Sequence, residues 1–175
     1  IRLGRLVYVI GPSGAGKDSI IAYARDRLGK EGGGYGFARR HITRPAESGG
    51  EDHVPISPDL FARDCAAGRF VLHWRGNGLG YGVGAEIDLW LRASRHVVLN
   101  GSRAYLSEAS ARYPTLLPVL IEIDPAVLRQ RLLARGRETL GQIEERIRRA
   151  AELDNVDHPA LAVIANNGPL TQAGE

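Results

Sequence analysis

Leu6-Val7-Tyr8-Val9-Ile10-Gly11-Pro12-Ser13-Gly14-Ala15-Gly16-Lys17-Asp18-Ser19 is the stretch that decides the fold. Its first five residues form an apolar, partly β-branched run, which reads as a buried strand. Gly11 to Gly16 is a glycine-rich turn. From Lys17 to Leu28 the apolar residues Ile20, Ile21, Ala24 and Leu28 recur on one side of a helix. Strand, turn and helix are the context in which G-x-x-x-x-G-K-[ST] binds phosphate, and its first seven positions are present. Glycines let the loop of Gly11, Pro12, Ser13, Gly14, Ala15 and Gly16 close around phosphate oxygens, every residue but Pro12 bringing a backbone N–H. The helix N-terminus adds partial positive charge. Lys17 is placed to reach the β- and γ-phosphates of ATP. The alternative is a glycine turn that binds nothing, and the agreement of strand, spacing, lysine and helix weighs against it.

Position 18 departs from the motif, holding Asp18 where a neutral hydroxyl usually ligates Mg²⁺. A carboxylate there repels the triphosphate unless a metal lies between. At about 4 Å and an effective dielectric near 20, such a charge pair is worth about 4 kcal/mol. Two readings stay open: Asp18 ligates Mg²⁺, directly or through water, or it is a first-turn acid turned away, with Ser19 nearer the metal.

Outward from this stretch, the chain alternates strand and helix. Gly32-Gly33-Gly34 reads as a flexible break. Phe37 to Thr43 reads as a strand ended by Arg44-Pro45. Ser57-Pro58-Asp59 starts a helix to about Ala67. Phe70 to Arg75 and Leu79 to Val83 read as strands around Gly76-Asn77-Gly78, in a piece resembling a small inserted lid. A helix over Ala85 to Ala93 precedes a buried strand at Val97-Val98-Leu99, and Ser102 caps a helix to Arg112. Leu117 to Ile123 is a strand, Asp124-Pro125 opens a helix to Arg135, and another helix covers about Leu140 to Leu153. Leu161 to Ala165 is the last strand. The expectation is an α/β fold with a mostly parallel sheet and helices on both faces.

The 175 residues suit one domain, 1–175, and their 43% apolar and 25% charged content is that of a globular protein. No apolar run approaches the roughly 20 residues of a membrane span. Ile1 to Arg5 carry no apolar signal-peptide core, and a single cysteine, Cys65, excludes an internal disulfide. A reducing cytoplasm is the expected location. Net charge is +3, too mild for nucleic-acid binding. Lys17 is one of only two lysines against twenty-one arginines. His41, His53, His73, His96 and His158 lack metal-ligand spacing.

Gly11 to Lys17, Thr43-Arg44-Pro45, Phe61, Gly68-Arg69-Phe70, His73-Trp74, Tyr81-Gly82-Val83 and Leu132, Arg135 and Gly136 together resemble the guanylate kinase family over nearly the whole chain. The resemblance implies a P-loop kinase fold with an acceptor-binding insertion at about 37–84 and an arginine lid at about 131–145. Departures bear on the acceptor. His73 and Asn100 stand where that family reads guanine with acids. The second arginine of its phosphate grip is missing after Pro45, and Arg40 replaces a serine.

One branch fits those departures, the ribose 1,5-bisphosphate phosphokinases. It is similar through Gly-Lys-Asp-Ser, Arg39 to Pro45, Tyr81 to Gly84 with Glu86 to Leu91, and Asn100-Gly101-Ser102-Arg103. The resemblance implies ATP plus ribose 1,5-bisphosphate giving ADP plus 5-phosphoribosyl 1-diphosphate, in phosphonate breakdown, with Mg²⁺. Its partners are then ATP and a phosphorylated sugar, with no nucleic acid and no membrane. The alternatives are a nucleoside monophosphate kinase or a non-catalytic guanylate kinase-like binding module.

On this reading Lys17, Arg135 and Arg146 serve catalysis. Gly11 to Ser19, Arg131 and Asn166 serve ATP, and Asp18 the metal. Arg40, Arg44, His73, Tyr81, Asn100, Ser102 and Arg103 hold the acceptor. Each has a plainer alternative. Arg131, Arg135 and Arg137 could form a solvated basic face. Arg146 and Arg149 could pair with Glu144, Glu145 or Glu152. Tyr81 could be a packed aromatic, Ser102 a cap, and Asn166-Asn167 a turn. A phosphate monoester has a second pKa of about 6, so the acceptor is already largely an oxyanion and needs no general base.

Overall fold

The computed structural model describes residues 3–29, 33–48, 50–152 and 155–175. Gly32 of the expected glycine break and Leu153 at the expected end of the last long helix lie outside them. In chain order, β1 (Leu6–Ile10) and α1 (Lys17–Leu28) are followed by the short strands β2 (Tyr35–Phe37), β3 (His41–Ile42) and β4 (Val54–Pro55). Next come α2 (Pro58–Ala66), β5 (Phe70–Gly76), β6 (Leu79–Gly84), α3 (Glu86–Arg92) and β7 (His96–Asn100). A 3₁₀ turn (Arg103–Tyr105) leads to α4 (Leu106–Arg112), β8 (Leu117–Glu122), α5 (Pro125–Arg135), α6 (Leu140–Glu152), β9 (Ala162–Ala165) and α7 (Leu170–Gly174).

Five strands form one parallel sheet in the order β2-β7-β1-β8-β9. β1 is central because both its faces are apolar: Leu6, Tyr8 and Ile10 enter one core and Val9 the other. Each such fully buried side chain contributes about 1.5–3 kcal/mol. Helix α1 places Ile20 and Ile21 against Val9 and Val98 on one face. On the opposite face the core continues into Ile42, Leu72, Trp74 and Val83 of a second sheet.

That second sheet has four strands in the order β4-β3-β6-β5. β5 and β6 form an antiparallel hairpin, β3 pairs antiparallel with β6, and β4 pairs parallel with β3. The expected single strand from Phe37 to Thr43 is therefore two. Phe37 ends in the main sheet, beside Val98, and His41 begins in the second, opposite Gly82. Ala38, Arg39 and Arg40 carry the chain across. Periodicity gives an extended backbone over these residues but does not say which sheet receives it.

Local signals set the helix starts. Ser57 Oγ accepts the Leu60 N–H at 3.2 Å, and Asp124 Oδ1 accepts the Ala126 N–H at 2.8 Å, both ahead of a first-turn proline. Thr139 and Gln142 exchange bonds of 2.9 and 3.3 Å in a capping box at the start of α6. Ser102 does not cap: its side chain makes no cap bond and the chain takes a 3₁₀ turn first. The Tyr8 hydroxyl holds the Ser102 backbone instead, donating to its carbonyl and accepting its N–H, each at 2.9 Å. Among the described residues no helix is long and apolar enough to cross a membrane.

Candidate active site

The glycine loop leaves the carboxyl end of β1 and opens α1, beside the end of β7, where ligands of open α/β sheets collect. Gly14 and Gly16 take φ of 90° and 91°, a region that favours glycine. Gly16 is fixed a second way, since a Cβ there would lie 2.5 Å from Asn166 Nδ2. Asn166 is buried at the end of β9, and its Nδ2 donates to the Ala15 carbonyl at 2.7 Å. Its amide nitrogen thus braces the loop from the end of β9. Asn167 accepts the Asp124 N–H at 2.7 Å and ties the same turn to α5.

Lys17 folds over the loop, its Nζ donating to the carbonyls of Gly11 at 2.6 Å and Pro12 at 3.1 Å. Burial lowers its pKa to about 8; Asp18 and Glu51 oppose this, while Arg40 and Arg103 add to it. Those five charges therefore share one cleft. Asp18 sits half-buried in the first turn of α1, and its Oδ1 accepts from Asn100 Nδ2 at 2.6 Å. Asn100 is itself buried, and its Oδ1 has no hydrogen-bond partner among the described residues. Ser19 is exposed next to Asp18. Arg103, half-buried, opens the 3₁₀ turn after β7.

Across the cleft, a ladder of flat groups runs from the main domain into the second sheet. Tyr105 stacks on Trp74 with centroids 5.4 Å apart. Trp74 stacks on Tyr81 at 5.6 Å and 9°, and the Arg40 guanidinium lies 4.8 Å from the Tyr81 centroid. Tyr81 is thus a packed aromatic as well as a neighbour of the expected grip. Arg40 is clasped by Glu51, with Nε to Oε1 at 2.7 Å and Nη2 to Oε2 at 2.5 Å. Arg44 Nη2 lies 3.9 Å from Glu51 Oε2 and 3.5 Å from His53 Nδ1. A pocket of about 370 Å³ opens beside Arg44, between Thr43, Pro45, Pro55 and Ile56.

His73 is not part of this group. It is exposed on β5, and strand alternation turns it to the face opposite its neighbour Trp74, hence opposite Tyr81 and Arg40. Arg39 likewise leaves the cleft, pairing with Asp52 at 2.9 Å, as its alternation suggests.

On the donor side, Arg146 reaches from α6 to the loop, with Nη1 3.5 Å from Ser13 Oγ and Nη2 2.6 Å from Glu138. Its carboxylate partner is Glu138, not Glu144, Glu145 or Glu152, and Arg149 pairs with Glu145 at 2.9 Å. Arg131 donates to the Gly168 carbonyl at 3.1 Å, and Arg135 and Arg137 are exposed. Glu51, Tyr8 and Glu138 are the participants that the sequence reading did not name. Tyr8 carried a signal, because a tyrosine in a buried strand needs a partner for its hydroxyl. The hydroxyl fixes the turn that follows Asn100, and a Cβ on Gly101 would fall 2.2 Å from the ring.

No family model matches the chain. A curated ribose 1,5-bisphosphate phosphokinase from Thiobacillus denitrificans is 52% identical over 174 residues, covering 98% of this chain and 90% of that protein. One of the same name from Psychromonas ingrahamii is 48% identical over 172 residues, covering 98% and 87%. Among solved structures, a guanylate kinase from Anaplasma phagocytophilum superposes with a TM-score of 0.67 at 18% identity, covering 99% of this chain and 82% of that one. That last likeness is one of fold. With half its residues shared along nearly the full length of both chains, the protein belongs to the ribose 1,5-bisphosphate phosphokinase family.

Proposed function

We propose that the protein transfers the γ-phosphoryl group of ATP to the 1-phosphate of ribose 1,5-bisphosphate, releasing ADP and 5-phosphoribosyl 1-diphosphate. The observation that carries this reading is the 52% identity, over 98% of the chain, to a relative of that name. The site supports it. A phosphate loop with its lysine faces a grip built on Arg40 and Arg44, and Asn100 offers an amide rather than an acid.

Arg44 and Arg40 hold the acceptor in the segment 37–84, whose four-stranded sheet is the acceptor-binding insertion. Asn100, Ser102 and Arg103 line its other side. The acceptor phosphate is already anionic and needs positioning and charge neutralisation rather than a base. Lys17 leaves its loop carbonyls for the β- and γ-phosphates. Arg146, already at the loop, and Arg135, from the lid at 131–145, neutralise charge as it spreads over the transferring group. Arg131 belongs to the same lid.

Asp18 fits a Mg²⁺ site, since it offers a carboxylate at the phosphate loop with only Oδ1 engaged by Asn100. Among the described residues no group of three or more His, Cys, Asp or Glu could hold a metal. Mg²⁺ held by one carboxylate, phosphates and waters needs no such group. Held there by Asp18, Mg²⁺ would supply neutralisation of negative charge on the triphosphate. A cytoplasmic location belongs to the same proposal.

The test is ³¹P NMR of the purified protein with ATP, Mg²⁺ and either ribose 1,5-bisphosphate or GMP. A new diphosphate ester from the sugar, GMP untouched and no turnover in Lys17→Ala are expected. GDP in place of the sugar diphosphate overturns the reading.

A further inference from the structure

Glu51 places a carboxylate between the two arginines that the proposed reading gives to the acceptor phosphate. It engages one whole edge of the Arg40 guanidinium, with bonds of 2.7 and 2.5 Å. Both side chains are nearly enclosed, at 10% and 12% exposure. One face of the same guanidinium lies over Tyr81. Arg40 is therefore held at an edge and on a face, and its charge is cancelled. Arg44 is placed differently: it stands 3.9 Å from the carboxylate, and its buried Nε has no hydrogen-bond partner among the described residues. Of the two arginines it is the less tightly engaged, sharing Glu51 only at this longer distance.

We infer that Glu51 is the specificity-determining residue of the acceptor site. It orients Arg40 and cancels its charge, so the site takes a sugar bisphosphate and turns away small free anions such as inorganic phosphate. This rests on the reading that Arg40 and Arg44 face the acceptor. An unpaired arginine receives any oxyanion, whereas a paired and stacked one is a directed donor. The repulsion between Glu51 and an incoming phosphate falls on every anion alike. Only a ligand with further contacts, a second phosphate and ring hydroxyls, recovers that cost.

The test compares wild-type protein with Glu51→Gln, which keeps the shape and removes the charge. Calorimetric titration with inorganic phosphate is expected to show binding about tenfold tighter in the variant, the effect of one partly screened charge. Steady-state kinetics are expected to show kcat/KM for ribose 1,5-bisphosphate lowered about tenfold, from lost orientation of Arg40. The KM for ATP is expected to stay within about twofold, since the donor loop is untouched. Equal phosphate binding by variant and wild type overturns the proposal. So does a variant that improves with both phosphate and sugar, because Glu51 is then a stand-in that the acceptor displaces.

Glu51→Asp keeps the charge and loses the two-point reach. It is expected to bind phosphate like wild type and to lose kcat/KM, and unchanged kcat/KM overturns the orienting role even if the Gln variant does not fold. Wild-type protein without sugar turnover sinks the functional reading alone, because the phosphate titration does not depend on turnover.

Discussion

Lys17 is held by two carbonyls of its own loop, and its ammonium is lowered to about 8, chiefly by burial. Bound phosphates favour the protonated form. Below pH 8 the ammonium is already charged and ATP affinity is expected to be flat. Above it, affinity weakens by up to about tenfold per pH unit, with a proton taken up on binding. Calorimetry at pH 9 in two buffers of different ionisation heat counts that proton, and a count of zero contradicts the assignment. The same shift has the opposite consequence for the empty fold. Between about 8 and the usual 10.5 the unfolded chain holds more protons on this lysine, so stability rises with pH across that window. Asn166 makes a second residue-level case. Asn166→Ala removes the bond to Ala15 and is expected to raise the KM for ATP about fivefold, the worth of one buried hydrogen bond. Little change in kcat would mark the residue as a brace.

At the scale of elements, the two carboxylate-and-proline or serine-and-proline starts carry a measurable share of stability. Asp124→Ala removes the cap of α5 and is expected to cost about 1 kcal/mol, read from the urea midpoint. An unchanged midpoint means the bond does not hold in solution. These helices were legible because cap, proline and apolar repeat all lie within a few residues of one another. α1 was legible from Lys17 to Leu28 on other grounds, the glycine turn before it and its apolar repeat. What eluded the sequence depends on partners far along the chain. Phe37 and His41 look like one strand until β7 claims the first and β6 the second. The pair Val54–Pro55 is too short to carry a period. His73 has its place in a motif, and which face of its strand it takes, opposite Trp74, follows from the pairing of β5 with β6. Glu51 sits in a polar loop, and only the fold brings its carboxylate to Arg40, eleven residues back. The phosphate loop, by contrast, is local chemistry throughout, and Asn100 was reachable through the motif that it shares with the resembled family.

For the whole molecule, the net charge of +3 understates the field that a substrate meets. Lys17, Arg40, Arg44 and Arg103 gather about one cleft, with Asp18 and Glu51 as its acids. Two polyanions drawn into such a cleft are expected to feel added salt strongly. The kcat/KM for the acceptor should fall several-fold between about 0.05 and 0.5 M salt, as screening shortens the reach of these charges. Stopped-flow or steady-state rates across a salt series check this, and a flat series means the charges act only at contact.

The way the second sheet is spliced in has a consequence of another kind. The chain enters it at His41 and leaves it along β6, where Gly82 stands opposite His41. Its way in and its way out are thus neighbours, and no strand of the main sheet lies between them in sequence. A segment with adjoining ends can be exchanged without unthreading the rest. Inheritance can therefore treat it as a cassette: a lineage that alters residues 37–84 is expected to change the proposed Arg40 and Arg44 grip, though not Asn100 and Arg103, while the phosphate loop passes down unchanged. Transplanting that segment between relatives with different acceptors is the laboratory form of the same event.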